Sequence, residues 1–157
     1  MPVPCRLTRQ AAGSCVRVTT GGSSEAEVIV VDEHFDASTL HLLRERVAAC
    51  TAAVGMPEDR SVDVLLAVHE LAANVVTHGA GAGRLLIRAA AGMLRCQVSD
   101  DGPGSGPWPL LKGHGLWLAR ALADEVTASS GPHGSQVTVR FGWRAPPGPR
   151  SANAQAT

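Results

Sequence analysis

A two-layer α+β sandwich is the fold class this sequence predicts. Three observations carry it: a pair of helical patterns comes early, a run of strand-like segments follows, and one further helix is inserted among those strands. At 157 residues the chain fits one domain, long enough to bury a core without disulfides or metals.

Residues 1–25 mix Pro, Gly, Ser and Thr around one short alternating piece, residues 15–19, and their composition allows partial disorder. Residues 27–31 read as a strand. The stretch DEHFDAST follows, in which Asp36 or Ser38 can cap a helix running to about Val54. Leu40, Leu43, Val47 and Cys50 give that helix one apolar stripe, and Gly55 with Pro57 ends it. A second, central helix runs from Ser61 to the glycines of HGAGAG. Residues 85–91 and 93–99 are two β-like runs joined at Gly92, the pattern of a hairpin. The turn-rich loop DDGPGSGPWPLLKGHG comes next, then a helix from Leu116 to about Asp124, then strands near 126–129 and 136–143. The tail RAPPGPRSANAQAT has the composition of a disordered end, so the folded domain is expected to span residues 26–144, with 145–157 as a tail.

The central helix is the most informative element. Val62, Val64, Leu65, Leu66, Val68, Leu71, Val75 and Val76 make it apolar on most sides, close to a buried helix. Asp63, Glu70, Asn74 and His78 recur at intervals of seven, four and four residues, which places them on one polar strip. Between Asp63 and Arg84 the only acidic or basic side chain besides histidine is Glu70, so the strip does not resemble a solvated face filled with Lys, Arg and Glu. A polar pocket and a half-exposed helix face both fit this pattern.

Composition excludes several function classes. The formal charge is zero, with 14 basic and 14 acidic residues, so no basic field marks the chain as a nucleic-acid binder. Tyr is absent and aromatics are 3%, which weakens single-strand recognition by base stacking. Cys5, Cys15, Cys50 and Cys96 are scattered without a CxxC pair, the pattern of reduced cytosolic thiols rather than a zinc site or disulfide framework. The first fifteen residues contain no apolar signal-peptide core, and no apolar run reaches a membrane span. A soluble, cytoplasmic protein is the expectation.

Two glycine loops can carry chemistry. Asp100 stands where the run RCQVS ends, a place where a carboxylate is held rigidly and can accept a hydrogen bond from an exocyclic amino group. Gly102 and Gly104 after it allow backbone to approach a flat ligand closely, although Asp-Asp-Gly-Pro is also ordinary turn chemistry. Gly113-His114-Gly115 opens the last helix, where unpaired N–H groups suit phosphate oxygens and Lys112, the only lysine, adds positive charge. Neither loop is a Walker A motif, and no strand-led GxGxxG occurs.

The order of these signals, an ExxxN helix, DxGxG after a strand and GxGL opening a helix, resembles the gyrase, histidine-kinase and MutL-type ATPase superfamily. Its fold is the Bergerat type, a mixed, mostly antiparallel sheet covered on one face by helices. The short layout, the phrase HELAANVVTHG and the closing GSQVTVRF are similar to bacterial anti-sigma-factor serine kinases, over residues 28–143. The resemblance implies ATP and Mg²⁺ as ligands. It makes Glu70 the general base that activates a serine hydroxyl or water, and Asn74 the ligand of the Mg²⁺ that bridges the phosphates. Asp100 would bind the adenine amino group with Gly102 and Gly104 lining the base, while Lys112, Gly113, His114, Gly115 and Leu116 would hold the phosphates. His78 would close the helix. The implied partners are a sigma factor and an anti-sigma-factor antagonist protein, with no direct nucleic acid, no membrane, and room for a homodimer.

Two features depart from the pattern. Only residues 105–112, stiffened by Pro-Trp-Pro, separate the glycine motifs, a short lid for closing over a γ-phosphate; and His69 precedes Glu70, where it can tune the carboxylate or pack. Glu70 thus points to a protein serine/threonine kinase. The short lid points to a module that binds nucleotide, or none, and regulates a partner by sequestration.

Overall fold

Residues 17–18, 27–100, 114–131 and 134–143 are described by the structure, a computed structural model. Along the chain the elements are β1 (Arg17–Val18), β2 (Val28–Asp36), α1 (Leu40–Ala53), α2 (Glu58–His78), β3 (Ala82–Ala90), β4 (Met93–Asp100), α3 (His114–Leu122), β5 (Glu125–Gly131) and β6 (Gly134–Gly142). The strands form one sheet in the order β1-β2-β3-β4-β6-β5, and every described neighbouring pair is antiparallel. The three helices cover one face, so the α+β sandwich expected from the sequence is the fold observed.

Strand alternation builds the core. Phe35, Leu85, Ile87, Leu94, Cys96, Val98, Val137, Val139 and Phe141 point toward the helices. They meet Leu43 and Val47 of α1, Leu116 and Ala119 of α3, and above all Val64, Ala67, Val68, Leu71, Ala72 and Val75 of α2. α2 lies between the other two helices and over the centre of the sheet, which accounts for its buried stripe, whereas Val62 and Leu66 are exposed.

Element boundaries differ from the sequence expectation in physically instructive places. β2 runs to Asp36, past the expected end at Val31. The run Asp32-Glu33-His34 hides the alternation, because Glu33 takes an inward position between Val31 and Phe35 and is met by Arg46 of α1 at 3.0 Å. Asp36 does not cap α1 itself. Its Oδ1 accepts from the Ser38 and Thr39 N–H groups at 2.8 and 3.1 Å and from the Ser38 hydroxyl at 2.6 Å, organising the turn before the helix. Those bonds, the Ser38 hydroxyl first, hold its carboxyl below the usual carboxylate range. α1 ends in a Schellman motif: the Met56 N–H donates to Thr51 O at 3.0 Å and the Gly55 N–H to Ala52 O at 3.1 Å, with Gly55 at φ 72°.

α2 begins at Glu58 rather than at Ser61. Pro57 precedes it at φ −57°, and Glu58 and Asp59 place negative charge at the positive end of the helix dipole. The earlier start brings Arg60 into the helix, and Arg60 ties three elements together. Its Nε donates to Gly142 O at 3.2 Å, Nη1 to Leu122 O at 2.7 Å and to Asp63 Oδ2 at 3.2 Å, and Nη2 to Asp124 Oδ1 at 2.6 Å. The guanidinium also lies 5.2 Å from the centre of the Phe141 ring. Burial works against its charge, but the bonds to Asp124 and Asp63 outweigh it and raise its pKa. Asp124 in turn accepts from the Gly142 N–H at 2.6 Å. That bond first, and then Arg60, hold Asp124 below the usual carboxylate range despite some burial. The start of α2, the end of α3 and the β5–β6 edge are therefore clasped by one arginine.

Among the described residues, no helix is long and apolar enough to cross a membrane. Burial raises the thiol of Cys50 to about 11. The Cys96 thiol is raised as well, by burial first and then by the nearby Cys50. Both are free and buried. Cys5 and Cys15 lie outside the described residues.

Candidate functional site

The polar strip expected on the central helix divides in two. Asp63, at its N-terminal end, belongs to the Arg60 clasp. Glu70 and Asn74 stand one turn apart, half-buried on the flank of α2 beside its fully buried stripe, and His78 in the last turn is exposed. The Nδ2 of Asn74 is buried and has no hydrogen-bond partner, and the same is true of Nδ1 of the neighbouring His69. Buried polar atoms without partners are uncommon, and each such atom leaves a desolvation cost of about 1–3 kcal/mol uncompensated.

Asp100 closes the site at the far end of α2. In the sheet it stands opposite Gly83, and both of its oxygens accept from the Ala80 N–H just after the helix, at 3.3 and 3.1 Å. Two glycines make this approach possible. A Cβ on Gly79 would collide with Asp100 Oδ2 and lie 2.7 Å from Val75 O; one on Gly83 would collide with Ser99 O and lie 2.8 Å from the Phe35 ring. The carboxylate sits at the C-terminal, negative end of the helix dipole, the sign opposite to a stabilising arrangement.

Read along α2, the groups come in the order Glu70, Asn74, Asp100. A rise of 1.5 Å per residue separates Glu70 from Asn74 by about 6 Å and from Gly79, which touches Asp100, by about 14 Å. A carboxylate and a carboxamide thus stand one turn apart on α2, and a second carboxylate is held at the end of that helix. Oxygen donors of this kind are hard ligands, suited to Mg²⁺ when it arrives with phosphates and water.

The remaining residues expected at the site divide by location. His114 and Gly115 form the first turn of α3, next to α2. Leu116 is a core residue, 4% exposed, and packs beneath that turn. Gly102, Gly104, Lys112 and Gly113, with the lid of residues 105–112, lie outside the described residues. Arg60 and Asp124 were not singled out in the sequence reading, nor was the contact of Gly79 and Ala80 with Asp100. Nothing local in the sequence marks the first, since Glu58, Asp59 and Asp63 surround Arg60 with ordinary charge. HGAGAG carried the second, since only glycine leaves room for the carboxylate.

Comparison with known proteins gives the arrangement a family. The profile of the histidine kinase-like ATPase domain matches residues 34–141. Among solved structures, the chain is similar to the RsbU and RsbW domains of Rv1364c from Mycobacterium tuberculosis, with a TM-score of 0.57 and 21% identity. That likeness covers 71% of this chain and 31% of the other, and at this identity it shows a shared fold. No curated protein matches the chain. With its family profile matched from β2 to β6, and with the expected helix and strand end placed together, this chain belongs to the histidine kinase-like ATPase domain family.

Proposed function

We propose that the chain is an ATP-binding regulator that phosphorylates a serine or threonine of one protein partner and restrains a second by binding it. The partners that the sequence resemblance supplies are an anti-sigma-factor antagonist for the first role and a sigma factor for the second. A sigma-factor partner would set the protein in the cytoplasm. The observation that carries the reading is Glu70 and Asn74 one turn apart on α2, with Asp100 held at the end of that helix and the Asn74 Nδ2 buried without a hydrogen-bond partner.

In this reading each residue has one task. Asp100 would accept a hydrogen bond from the amino group of adenine. Asn74 would hold Mg²⁺ through its carboxamide oxygen. Glu70, one turn earlier, takes the proton from the attacking hydroxyl. The bound nucleotide supplies the phosphoryl group, and the metal and the α3 N-terminus offset its charge. His114 and Gly115 would contribute backbone N–H groups at that end together with Lys112 and Gly113, and Gly102 and Gly104 would line the base.

Nucleotide affinity and phosphotransfer to a candidate antagonist, measured on the wild type and two variants, test the assignment. Glu70→Gln keeps the shape but cannot take a proton, so it should bind ATP nearly normally while transfer falls by about 10²–10⁴-fold. Asn74→Ala should weaken Mg·ATP binding itself. No transfer by the wild type, with Glu70→Gln still holding its partner, would instead establish a binding module, the reading that the short lid supports.

A further inference from the structure

The sheet face turned away from the helices carries a row of like charge. The register sets Arg88 of β3 opposite Arg95 of β4, and Arg95 opposite Arg140 of β6. Like charges directly opposite one another on adjacent strands are destabilising, so the row is a cost to the folded chain by itself. Its internal compensation is incomplete. Glu125 reaches Arg140 at 3.0 Å, but Glu27 stays 3.8 Å from Arg95, beyond hydrogen-bond length. The Nε of Arg95 is buried without a partner, and Arg88 makes no ion pair or hydrogen bond among the described residues. Residues 1–24 and 144–157 contain no Asp or Glu, and the acidic residues outside the described ones are Glu25 and Asp101.

We propose that this row docks an acidic helix of a partner protein, with three carboxylates set against Arg88, Arg95 and Arg140. The spacing selects a helix. Neighbouring strands lie about 4.8 Å apart, whereas same-face residues of an extended peptide are spaced by about 6.6 Å. Side chains one helical turn apart are separated by about 5–6 Å, the better match to the row. Guanidinium forks pair with carboxylates through two parallel hydrogen bonds. A second copy of the chain docked row against row would oppose arginine to arginine. A nucleic acid is disfavoured by the zero net charge and the scarcity of aromatics. The row is separate from the α2 site: Arg95 lies five residues before Asp100 on β4, about 17 Å along the strand, and faces away from the helices. Docking here is therefore independent of nucleotide.

The test uses the full chain without nucleotide and a labelled synthetic helix of Ala and Gln bearing Glu at positions i, i+4 and i+7. A peptide of the same composition with those Glu residues dispersed around the helix, and a single-stranded oligonucleotide, are measured beside it by fluorescence anisotropy at low salt. The patterned helix should bind best, and Arg88→Gln or Arg95→Gln should each weaken it about tenfold, the loss of one charge-assisted contact. Arg44→Gln, on α1, should change nothing. Thermal unfolding of Arg88→Gln and Arg95→Gln should occur at the wild-type temperature or above it, because like-charge repulsion is relieved. Equal binding of patterned and dispersed peptides, preference for the oligonucleotide, or earlier unfolding of the variants would overturn the proposal.

Discussion

At the start of α2 the Arg60 guanidinium meets four acceptors, Asp63 on its own helix and Leu122, Asp124 and Gly142 beyond it, whereas further along the same helix Asn74 Nδ2 and His69 Nδ1 are buried and meet none. Both regions bury polar groups beside the same apolar stripe, and they answer the desolvation cost in opposite ways. The clasp satisfies its charge within the chain and so works as architecture. The Glu70–Asn74 flank leaves its capacity open, which is what a ligand site requires before the ligand binds. The contrast predicts that substitutions at the two ends will separate stability from binding.

The largest effect should come from breaking the clasp. Arg60→Ala leaves Asp124, Asp63 and two carbonyls without their donor, and should cost about 3 kcal/mol in urea-induced unfolding. Arg60→Lys should recover only part of that, since one ammonium cannot reach acceptors spread around a planar fork. A loss below about 1 kcal/mol for Arg60→Ala would mean that the helices and the β5–β6 edge hold together by apolar packing alone.

The same contrast marks what could be read from the sequence. The apolar period of α2, the hairpin at Gly92 and the order of helices and strands were legible because burial on one face imposes them residue by residue. Glu70, Asn74 and Asp100 stand out in the sequence because each breaks its local pattern: polar residues on an apolar helix, a carboxylate at a strand end. The clasp was not legible, because Arg60 meets Gly142 and Asp124 across more than sixty residues of chain and nothing local marks such a pairing. The extension of β2 was missed for a related reason. Glu33 looks like a break in the strand until Arg46 of α1 is seen to receive it.

A smaller effect should appear in acid. The folded chain holds Asp124 below its ordinary range, so the unfolded chain binds the proton more readily. The stability this contributes is present above the unfolded carboxylate value of about 3.9 and is lost as pH falls through the lower, folded value. Asp124 is 53% exposed, which screens the Arg60 contribution and keeps the change modest. Because the Gly142 N–H is the leading cause, Arg60→Ala should remove only part of this acid sensitivity, while Asp124→Asn should remove it all. Unfolding midpoints measured across the acid range for the three chains check the order. An Asp124→Asn chain with the wild-type acid profile would place the sensitivity elsewhere.

The smallest expected effect is the sharpest test of the comparison. Asn74→Ala deletes a carboxamide whose Nδ2 is buried and unpaired, so the desolvation cost of that atom disappears with it. Alanine is also the better helix former, by several tenths of a kcal/mol, and these gains offset the packing lost with a small side chain. Without nucleotide the variant should therefore unfold within about 0.5 kcal/mol of the wild type, where Arg60→Ala falls far below it. Saturating Mg·ATP should then raise the stability of the wild type by about 2.7 kcal/mol at a hundredfold excess over its Kd, and raise the variant much less. A nucleotide-free loss above about 1.5 kcal/mol would make Asn74 a structural residue like Arg60. Equal stabilisation of both chains by Mg·ATP would remove Asn74 from the site even if the helix around it stayed intact.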